Sequence, residues 1–313
     1  MPVLLLALPP FMGGAALVIS RLREESDSLV MRVGAKLWRK LFCREQWYLL
    51  LETAGDSGFM PDLQQCKPIY PAADRFWADP FIWPTADAHF VFVEELPFAT
   101  NKGHIAVLEL SRDGTLRSAR KIIEQPYHMS YPFVFQWEEV LYMLPESGEN
   151  STVELYRCEE FPHRWVLDRV LFSDLHTADA TLVEHDGLWW LFMTQATAGQ
   201  SINEHLYLYW ADSPLGPYTL HPRCPVKSGL RGSRPAGALF HRDGCLYRPA
   251  QDCSRVYGEA VILHRVEELT KTRFREVEAG RIASAGHAEA RRVHTLNVGD
   301  GVRVMDALRW IAK

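Results

Sequence analysis

The sequence has few features of a metal, redox or nucleotide-binding centre. No two of its six cysteines form a Cys-x-x-Cys pair, so neither a zinc ribbon nor a dithiol centre is expected. It contains no His-Glu-x-x-His, no Walker loop, no Gly-x-Gly-x-x-Gly and no nucleophile elbow. His176 and Asp179 have no further ligand at local spacing. We therefore expect no cofactor and no metal ion, which favours carboxylate chemistry or plain binding.

The chain also lacks an excess of positive charge. Its formal net charge is -5 at pH 7, so nucleic acid is not an expected partner. Hydrophobic residues make up 47% of the 313 residues and charged ones 23%, which is enough apolar material for one large folded domain. The unpaired cysteines are typical of reduced thiols and favour a cytoplasmic location.

Residues 1–19 carry no charged side chain, but Pro9-Pro10 and Gly13-Gly14 interrupt any helix there. Three interpretations are open: a membrane anchor, a segment docked on the rest of the protein, and a remnant of an upstream domain. Over residues 28–42 apolar residues recur at the spacing of an amphipathic helix. We assign residues 1–45 to an N-terminal segment with a short helical extension and residues 46–313 to the main domain.

One pattern recurs five times along the main domain. Each copy begins with a polar or aromatic residue, continues with an apolar run, turns, and returns through a second run rich in aromatic residues. The copies open at Asp79, Tyr131, Asp179, Arg234 and His294, roughly 50 to 60 residues apart. Three of the five turns are Asp-Gly, a strong hairpin signal.

These copies predict an all-β fold, a five-bladed β-propeller. Strand-like runs at residues 104–110, 153–158 and 204–211 lie between the hairpins and would complete blades of about four strands. Because a hairpin returns to the side it left, the two ends of every copy should lie on one face, around a central funnel. A β-sandwich is the alternative, since it also has many short strands and polar turns.

The phrases FWADPFIW, KGHIAVLEL, SYPFVF, YMLPES, RPAGALF and YRPAQDCSRVYG carry a resemblance. Together they resemble the N-terminal domain of plant glucosamine inositolphosphorylceramide transferases, over about residues 47–306. The same domain occurs in bacterial proteins, sometimes beside a formyltransferase-like domain. In the plant proteins sugar transfer is assigned to a separate C-terminal glycosyltransferase domain, so the resemblance implies a fold and a partner domain of either kind, not the transfer reaction.

More distantly, the hairpins are similar to the five-bladed propellers of glycoside hydrolase families 43, 32 and 130. That resemblance implies acidic residues around the funnel, and Asp79-Pro80 and Asp179 match two of them. At the fourth blade, where family 43 commonly carries a catalytic Glu, this chain has Arg234. The family 43 triad therefore does not transfer as a whole.

Three carboxylates are the catalytic candidates. Glycoside cleavage needs one acid to protonate the leaving oxygen and one carboxylate to activate water or attack the sugar. We predict Asp79 as base or nucleophile, Glu146 as acid and Asp179 as the group that orients or tunes them. Each also has a structural interpretation, as a turn cap, an ordinary turn residue or a hydrogen-bonded channel group.

Six further residues are predicted to bind substrate. Arginine forks hold carboxylates and phosphates, so two arginines on the rim, Arg234 and Arg248, predict an anionic glycan. The alternative is that Arg248 pairs with Asp252 and Arg234 braces a neighbouring acid. Adjacent strand residues point to opposite faces, so only one of Glu94 and Glu95 can face the funnel. The predicted binding residues are Glu95, Tyr131, Arg234, Arg248, Asp252 and His294.

Two functions from different classes follow. The first is a glycoside hydrolase-like enzyme acting on a polar or anionic glycan, including an acidic or phosphorylated one. The second is a non-catalytic glycan-binding or scaffolding domain that serves a glycosyltransferase or formyltransferase. The acids on the rim favour the first function, and the missing fourth-blade Glu favours the second.

Overall fold

The computed structural model describes residues 41–53, 59–197, 199–285, 287–299 and 301–313. Within these ranges the chain forms 22 β-strands and one 3-10 helix, Gly148–Asn150. The apolar stretch over residues 1–19 lies outside the described residues, as does most of the helix predicted over 28–42, of which Leu41 and Phe42 are helical. In the described part of the chain, no helix is long and apolar enough to cross a membrane.

The strands are short and run in chain order from β1 to β22. They are β1 Cys43–Thr53, β2 Lys67–Ile69, β3 Arg75–Pro84, β4 Ala88–Pro97, β5 His104–Ser111, β6 Leu116–Ile123, β7 Ser130–Trp137, β8 Val140–Ser147, β9 Thr152–Glu160, β10 Arg164–Ser173, β11 Thr177–His185, β12 Leu188–Gln195, β13 His205–Ala211, β14 Thr219–Leu220, β15 Lys227–Ser228, β16 Arg231–Pro235, β17 Phe240–Arg242, β18 Cys245–Asp252, β19 Ala260–Leu269, β20 Phe274–Ala283, β21 Leu296–Gly299 and β22 Val302–Ala312.

The strands form five sheets, and each sheet is one blade of a propeller. Blade 1 holds β3 to β6, blade 2 β7 to β10, blade 3 β11 to β15 and blade 4 β16 to β20. Blade 5 is built from both ends of the chain, in the order β21, β22, β1, β2. The prediction of an all-β five-bladed propeller is confirmed. The sandwich alternative is wrong, because a sandwich consists of two packed sheets and these strands form five.

The chain divides into two compact units. One comprises residues 46–309 and holds the blades; the other comprises residues 1–45 with 310–313, of which 41–45 and 310–313 are described. A domain boundary at residue 45, and membrane association through residues 1–19, stay predictions.

Apolar packing between neighbouring blades forms the core. Phe133 of blade 2 lies in one buried cluster with Phe81 of blade 1 and Leu182 of blade 3. The rings of Phe81 and Phe133 meet edge to face, with centroids 5.6 Å apart. Full burial of such a side chain stabilises the fold by about 1.5–3 kcal/mol, and each blade contributes several of them.

The innermost strands of blades 1 to 3 share one backbone irregularity. The residue that opens each copy has a positive φ: 50° for Asp79, 44° for Tyr131 and 56° for Asp179. At each of these positions the register with the next strand shifts, as in a β-bulge. Non-glycine residues rarely adopt this conformation, and it persists only where the surroundings fix it.

Tyr131 fixes the bulge of blade 2 through a hydroxyl that reaches two other blades. The side chain is fully buried, and its oxygen lies 2.8 Å from Thr181 Oγ1 of blade 3. Thr181 donates its own hydrogen to the Asp179 carbonyl, so the Tyr131 hydroxyl donates to Thr181 and accepts the Gly237 N–H at 2.8 Å. Tyr131 therefore acts as an inter-blade tie in this structure.

We expect Tyr131→Phe to lower the free energy of unfolding by about 1–3 kcal/mol, because it leaves the buried Gly237 N–H without an acceptor. Chemical denaturation measures the effect. The matched control is Tyr247→Phe, since Tyr247 is partly exposed and its ring packs on Phe240. Equal stability of the two variants would contradict the role of the Tyr131 hydroxyl.

Candidate functional site

The open ends of the inner strands bring six ionisable side chains together, and we call this group the central cluster. Asp79 and Asp179 come from bulges in β3 and β11, Glu146 from the end of β8 and Arg234 from β16. His294 precedes β21, and Asp306 lies on β22. The cluster consists of Asp79, Glu146, Asp179, Arg234, His294 and Asp306.

His294 lies between two carboxylates, where blade 5 meets blade 1. Its Nε2 is 3.1 Å from Asp79 Oδ1, and its Nδ1 is 2.9 Å from Asp306 Oδ1, although out of line for a well-formed hydrogen bond. All three side chains are at least nine-tenths buried. Asp306 also accepts three backbone N–H groups, from Asp79 at 2.9 Å, His294 at 3.1 Å and Thr295 at 3.0 Å.

The pKa values of these groups follow from burial and charge. Burial opposes a charge on His294, but the two carboxylates outweigh it and raise the imidazole pKa well above its ordinary value. Burial would raise the pKa of Asp306, but the charge of His294 and the hydrogen bonds lower it. For Asp79, burial dominates the attraction of His294 and raises its pKa to about 6. The group is thus a cation held between carboxylates, of which Asp79 is the weaker acid.

Asp79, His294 and Asp306 each offer one possible ligand atom, all within 4.8 Å of one another. A metal ion would need a lone pair from the imidazole. The raised pKa of His294 favours the protonated ring, which has no lone pair to give and whose positive charge lies between the two carboxylates.

Arg234 connects the other two acids. Its Nε and Nη2 bind the two oxygens of Asp179 at 2.6 and 3.1 Å, a bidentate pair. Its Nη2 also lies 3.4 Å from Glu146 Oε2, and its Nη1 donates to Asn203 at 2.9 Å. Gln251 donates to Asp179 as well, at 3.0 Å. These contacts agree with the alternative in which Arg234 braces neighbouring acids.

Glu146 is the most accessible of the three predicted catalytic acids. One fifth of its side-chain surface is exposed, against 1% for Asp179. Its Oε2 accepts the Asp179 N–H at 3.3 Å. Burial raises the pKa of Glu146 well above its ordinary value, because the charge of Asp179 adds to it and Arg234 only partly offsets it. This carboxyl therefore keeps its proton to a higher pH than an ordinary glutamate does.

Tyr257 gives the cluster an exposed aromatic ring. It precedes β19, 39% of the residue is exposed, and its ring lies 5.3 Å from the His294 ring and 5.3 Å from the guanidinium carbon of Arg234. Desolvation of its hydroxyl, with the charges of Asp79 and Asp179, raises the pKa of Tyr257 well above the ordinary tyrosine value, and Arg234 partly offsets the rise. Sequence reasoning missed this residue, because no hairpin pattern marks it.

The adjacent acids Glu94 and Glu95 serve opposite sides of β4. The charge of Glu94 contributes to the raised pKa of Asp79, and its Oε1 lies 3.1 Å from His128 Nε2. Glu95 instead accepts hydrogen bonds from Trp77 and Arg75. Alternation along β4 predicted that only one of the pair faces the funnel, and Glu95 was the predicted one. The structure instead places Glu94 on the side of the central cluster.

Three other predicted binding residues do not present polar groups to the cluster. Arg248 is fully buried and binds Glu276 and the Gly232 carbonyl. Asp252 accepts Arg231 at 2.8 Å and the Ser254 hydroxyl at 2.6 Å. Tyr131, the third, is committed to its inter-blade hydrogen bonds. The suggested pairing of Arg248 with Asp252 is wrong, since Arg248 pairs with Glu276.

We expect Asp306→Asn to lower the free energy of unfolding by about 3–5 kcal/mol at neutral pH, because it leaves His294 without one countercharge and sets an amide N–H against a backbone N–H. Because the pKa of Asp306 is lowered in the fold, this difference should shrink as the pH falls and Asp306 takes up a proton. Thermal and chemical denaturation across pH measure it.

The control for this variant is Asp243→Asn, the same chemical change at a turn side chain that is 89% exposed. It should leave stability within about 0.5 kcal/mol of the wild type. If Asp306→Asn lowers the free energy of unfolding no more than the control does, the stabilising role of Asp306 is contradicted.

Solved structures that resemble this chain share its fold. One is a family 117 glycoside hydrolase of Zobellia galactanivorans, with a TM-score of 0.52, 14% identity, and coverage of 85% of this chain and 90% of that one. Another is an exo-beta-1,3-galactanase from Clostridium thermocellum, with a TM-score of 0.53, 12% identity, and coverage of 70% and 55%. At such identities the likeness concerns the fold alone.

Proteins found by sequence have a higher identity to this chain than these structures do. The rice (Oryza sativa subsp. japonica) protein glucosamine inositolphosphorylceramide transferase 1 is 40% identical over 212 residues, which are 66% of this chain and 28% of that protein. The chain thus spans less than a third of that relative. Residues 65–309 match the family model described as glucosamine inositolphosphorylceramide transferase 1, N-terminal. The chain belongs to this N-terminal domain family.

Proposed function

We propose that the central cluster binds a polar glycan and cleaves or transfers a glycosidic bond by carboxylate acid–base chemistry. The observation that carries the proposal is that one cluster holds two carboxyl groups in different electrostatic surroundings: Glu146 has only a 3.4 Å contact with Arg234, whereas Asp79 lies 3.1 Å from the His294 ring. Burial and the charge of Asp179 raise the pKa of Glu146 well above its ordinary value, whereas His294 limits the rise for Asp79, whose pKa is about 6. Pairs of acids whose surroundings drive their pKa values apart are what such reactions use.

Each residue then has a role in the reaction. Glu146 gives its proton to the leaving glycosidic oxygen as the bond from the anomeric carbon to that oxygen breaks. Asp79 accepts a proton from the water or sugar hydroxyl that attacks the anomeric carbon. Arg234 and Gln251 hold Asp179 in place, and the charge of Asp179 adds to the raised pKa of Glu146, which helps Glu146 to retain its proton until the transition state.

The comparisons support a carbohydrate-related role without naming the reaction. The relatives are named for transfer involving glucosamine and inositolphosphorylceramide, and the fold relatives named above are glycoside hydrolases. Because the chain spans 28% of the rice relative, that protein's transfer reaction is not carried over to it. The proposal therefore rests on the cluster's own chemistry.

We expect Asp79→Asn and Glu146→Gln each to lower turnover about a hundredfold to ten-thousandfold, because the amides keep the side-chain shape but cannot transfer a proton. A screen of aryl glycosides and oligosaccharides identifies a substrate, and turnover of the folded variants is then compared. Asp243→Asn and Glu139→Gln, at exposed turns, are matched controls. Unchanged turnover in both cluster variants would refute the assignment.

The pH profile offers a separate test. Turnover should fall below about pH 6 as Asp79 takes up a proton, and should fall again at higher pH as Glu146 loses its own. Because the charge of Glu94 helps to raise the pKa of Asp79, Glu94→Gln should move the acidic limb to lower pH, and Glu139→Gln should not move it. An acidic limb that stays in place in Glu94→Gln would show that Asp79 does not set it.

A second candidate is a glycan-binding domain without turnover that presents its ligand to a glycosyltransferase or formyltransferase domain. The position of Arg234 favours it, since the guanidinium lies against both Asp179 and Glu146. Under this function, wild-type protein binds glycans in calorimetry without consuming them, and Glu146→Gln keeps the affinity. If the wild-type chain releases product without a partner domain, this second function is excluded.

A further inference from the structure

His128 lies in the loop between β6 and β7 and contacts three other segments of the chain. Its Nε2 is 3.1 Å from Glu94 Oε1 on β4. Its Nδ1 accepts the N–H of Gly103, the residue before β5, at 3.1 Å. Its backbone N–H donates to the Glu149 carboxylate in the 3-10 helix that follows β8. One residue therefore joins two segments of blade 1 to blade 2.

Through its side chain, His128 reaches the part of blade 1 that carries Asp79. Glu94 pairs across the ladder with Ala78, the residue before Asp79. The Glu94 side chain is 9% exposed, and its charge is one of the groups that raise the pKa of Asp79. The contact with His128 Nε2 therefore fixes the place from which the Glu94 carboxylate acts on Asp79.

Through its backbone, His128 is held by the segment that carries Glu146. Ser130, two residues after His128, pairs across the ladder with Glu146. Glu149, which accepts the His128 N–H, lies three residues after Glu146. The segment of the proposed acid thus positions His128, and the His128 side chain is directed at the segment of the proposed base.

Gly103 packs directly against the pair formed by His128 and Glu94. A Cβ at Gly103 would lie 2.8 Å from Glu94 Oε1 and 2.8 Å from His128 Cε1. It would also lie 2.6 Å from the carbonyl oxygen of Met129, whose N–H donates to the Gly103 carbonyl at 3.0 Å. Because these distances are shorter than van der Waals contact, a residue without a side chain is required here. The backbone of blade 1 thereby holds the pair in place.

The hydrogen that faces Glu94 is present whether or not the His128 ring is protonated. Because the Gly103 N–H occupies Nδ1, the hydrogen of a neutral ring is on Nε2, and a protonated ring carries a hydrogen on Nε2 as well. Burial would lower the pKa of His128, but Glu94, with the charges of Glu149 and Asp79, outweighs it and raises the pKa. In both states Nε2 is a donor toward Glu94.

We propose that His128 is a positioning residue, which holds the Glu94 carboxylate at a fixed place beside Asp79 and ties it to the segment that carries Glu146. The inference rests on the function proposed for the central cluster, since it assigns a support to that cluster's two acids. His128 acts on the reaction through Glu94. The other ionisable groups that face these residues are Glu149, Asp179, Tyr257, His294 and Asp306.

Two neutral variants isolate the hydrogen bond, because both remove any charge of the imidazole. His128→Gln can still donate an N–H to Glu94, whereas His128→Leu cannot. In His128→Leu the Glu94 carboxylate is free to turn toward water, so its charge acts less on Asp79. The pKa of Asp79, followed by NMR of its carboxyl carbon, should therefore be about 0.5–1 pH unit lower in His128→Leu than in His128→Gln. His128→Ala takes the place of His128→Leu if the latter does not fold.

The same pair of variants in a Glu94→Gln background completes a double-mutant cycle. There the two should give the same pKa for Asp79, because the carboxylate through which His128 acts is gone. His163→Leu and His163→Gln, the same changes in an exposed turn of blade 2, should leave Asp79 as in the wild type. The proposal is overturned if His128→Leu and His128→Gln give the same pKa for Asp79, or if their difference persists in Glu94→Gln.

Turnover separates this inference from the proposed function. On a substrate found in the screen, His128→Leu should have a kcat about tenfold lower than His128→Gln, with a smaller change in KM, because misplaced groups cost up to about a hundredfold in rate. If no substrate is turned over, the proposed function fails, and the NMR comparison still decides the role of His128. If a substrate is turned over with equal kcat in the two variants, the positioning role is overturned and the proposed function stands.

Discussion

The hydrogen bond from the Asp79 N–H to Asp306 joins the last strand of the chain to blade 1. Blade 5 takes strands from both chain ends, so its neighbours must be held together by contacts that are distant in sequence. The same carboxylate accepts the N–H groups of His294 and Thr295, and its charge faces the His294 cation. One buried side chain therefore joins blade 5 to blade 1 at the residue where the backbone of Asp79 is left-handed.

Two cations neutralise the acids of the central cluster, and they do so unequally. His294 lies within about 3 Å of two carboxylates, whereas Arg234 gives its bidentate contact to Asp179 and only a 3.4 Å contact to Glu146. In a buried site the acid with the weakest partner keeps its proton most readily. That imbalance is the physical basis of the roles proposed for Glu146 and Asp79.

Strand alternation assigns neighbouring acids of β4 to different sites. The charge of Glu94 acts on the central cluster, while Glu95 lies one residue further, on the other face of the strand, and accepts hydrogen bonds from Trp77 and Arg75. His128 and His104 accompany them, one on each side. A single strand thus gives one carboxylate to the central cluster and the next to a separate hydrogen-bonded group within blade 1.

The sequence by itself determined the repeat, and with it the five blades and the face on which Asp79, Asp179 and Arg234 lie, because hairpin turns and apolar alternation are local properties. It also indicated that only one of Glu94 and Glu95 could face the funnel. Local patterns contain no information on which distant side chains pair. Only the tertiary structure decided that Arg234 braces Asp179, that Arg248 belongs to Glu276, and that Asp306, Tyr257 and Glu94 join the site. Those contacts depend on how blades far apart in the chain pack around one axis, where burial and charge, not spacing, set the role of each group.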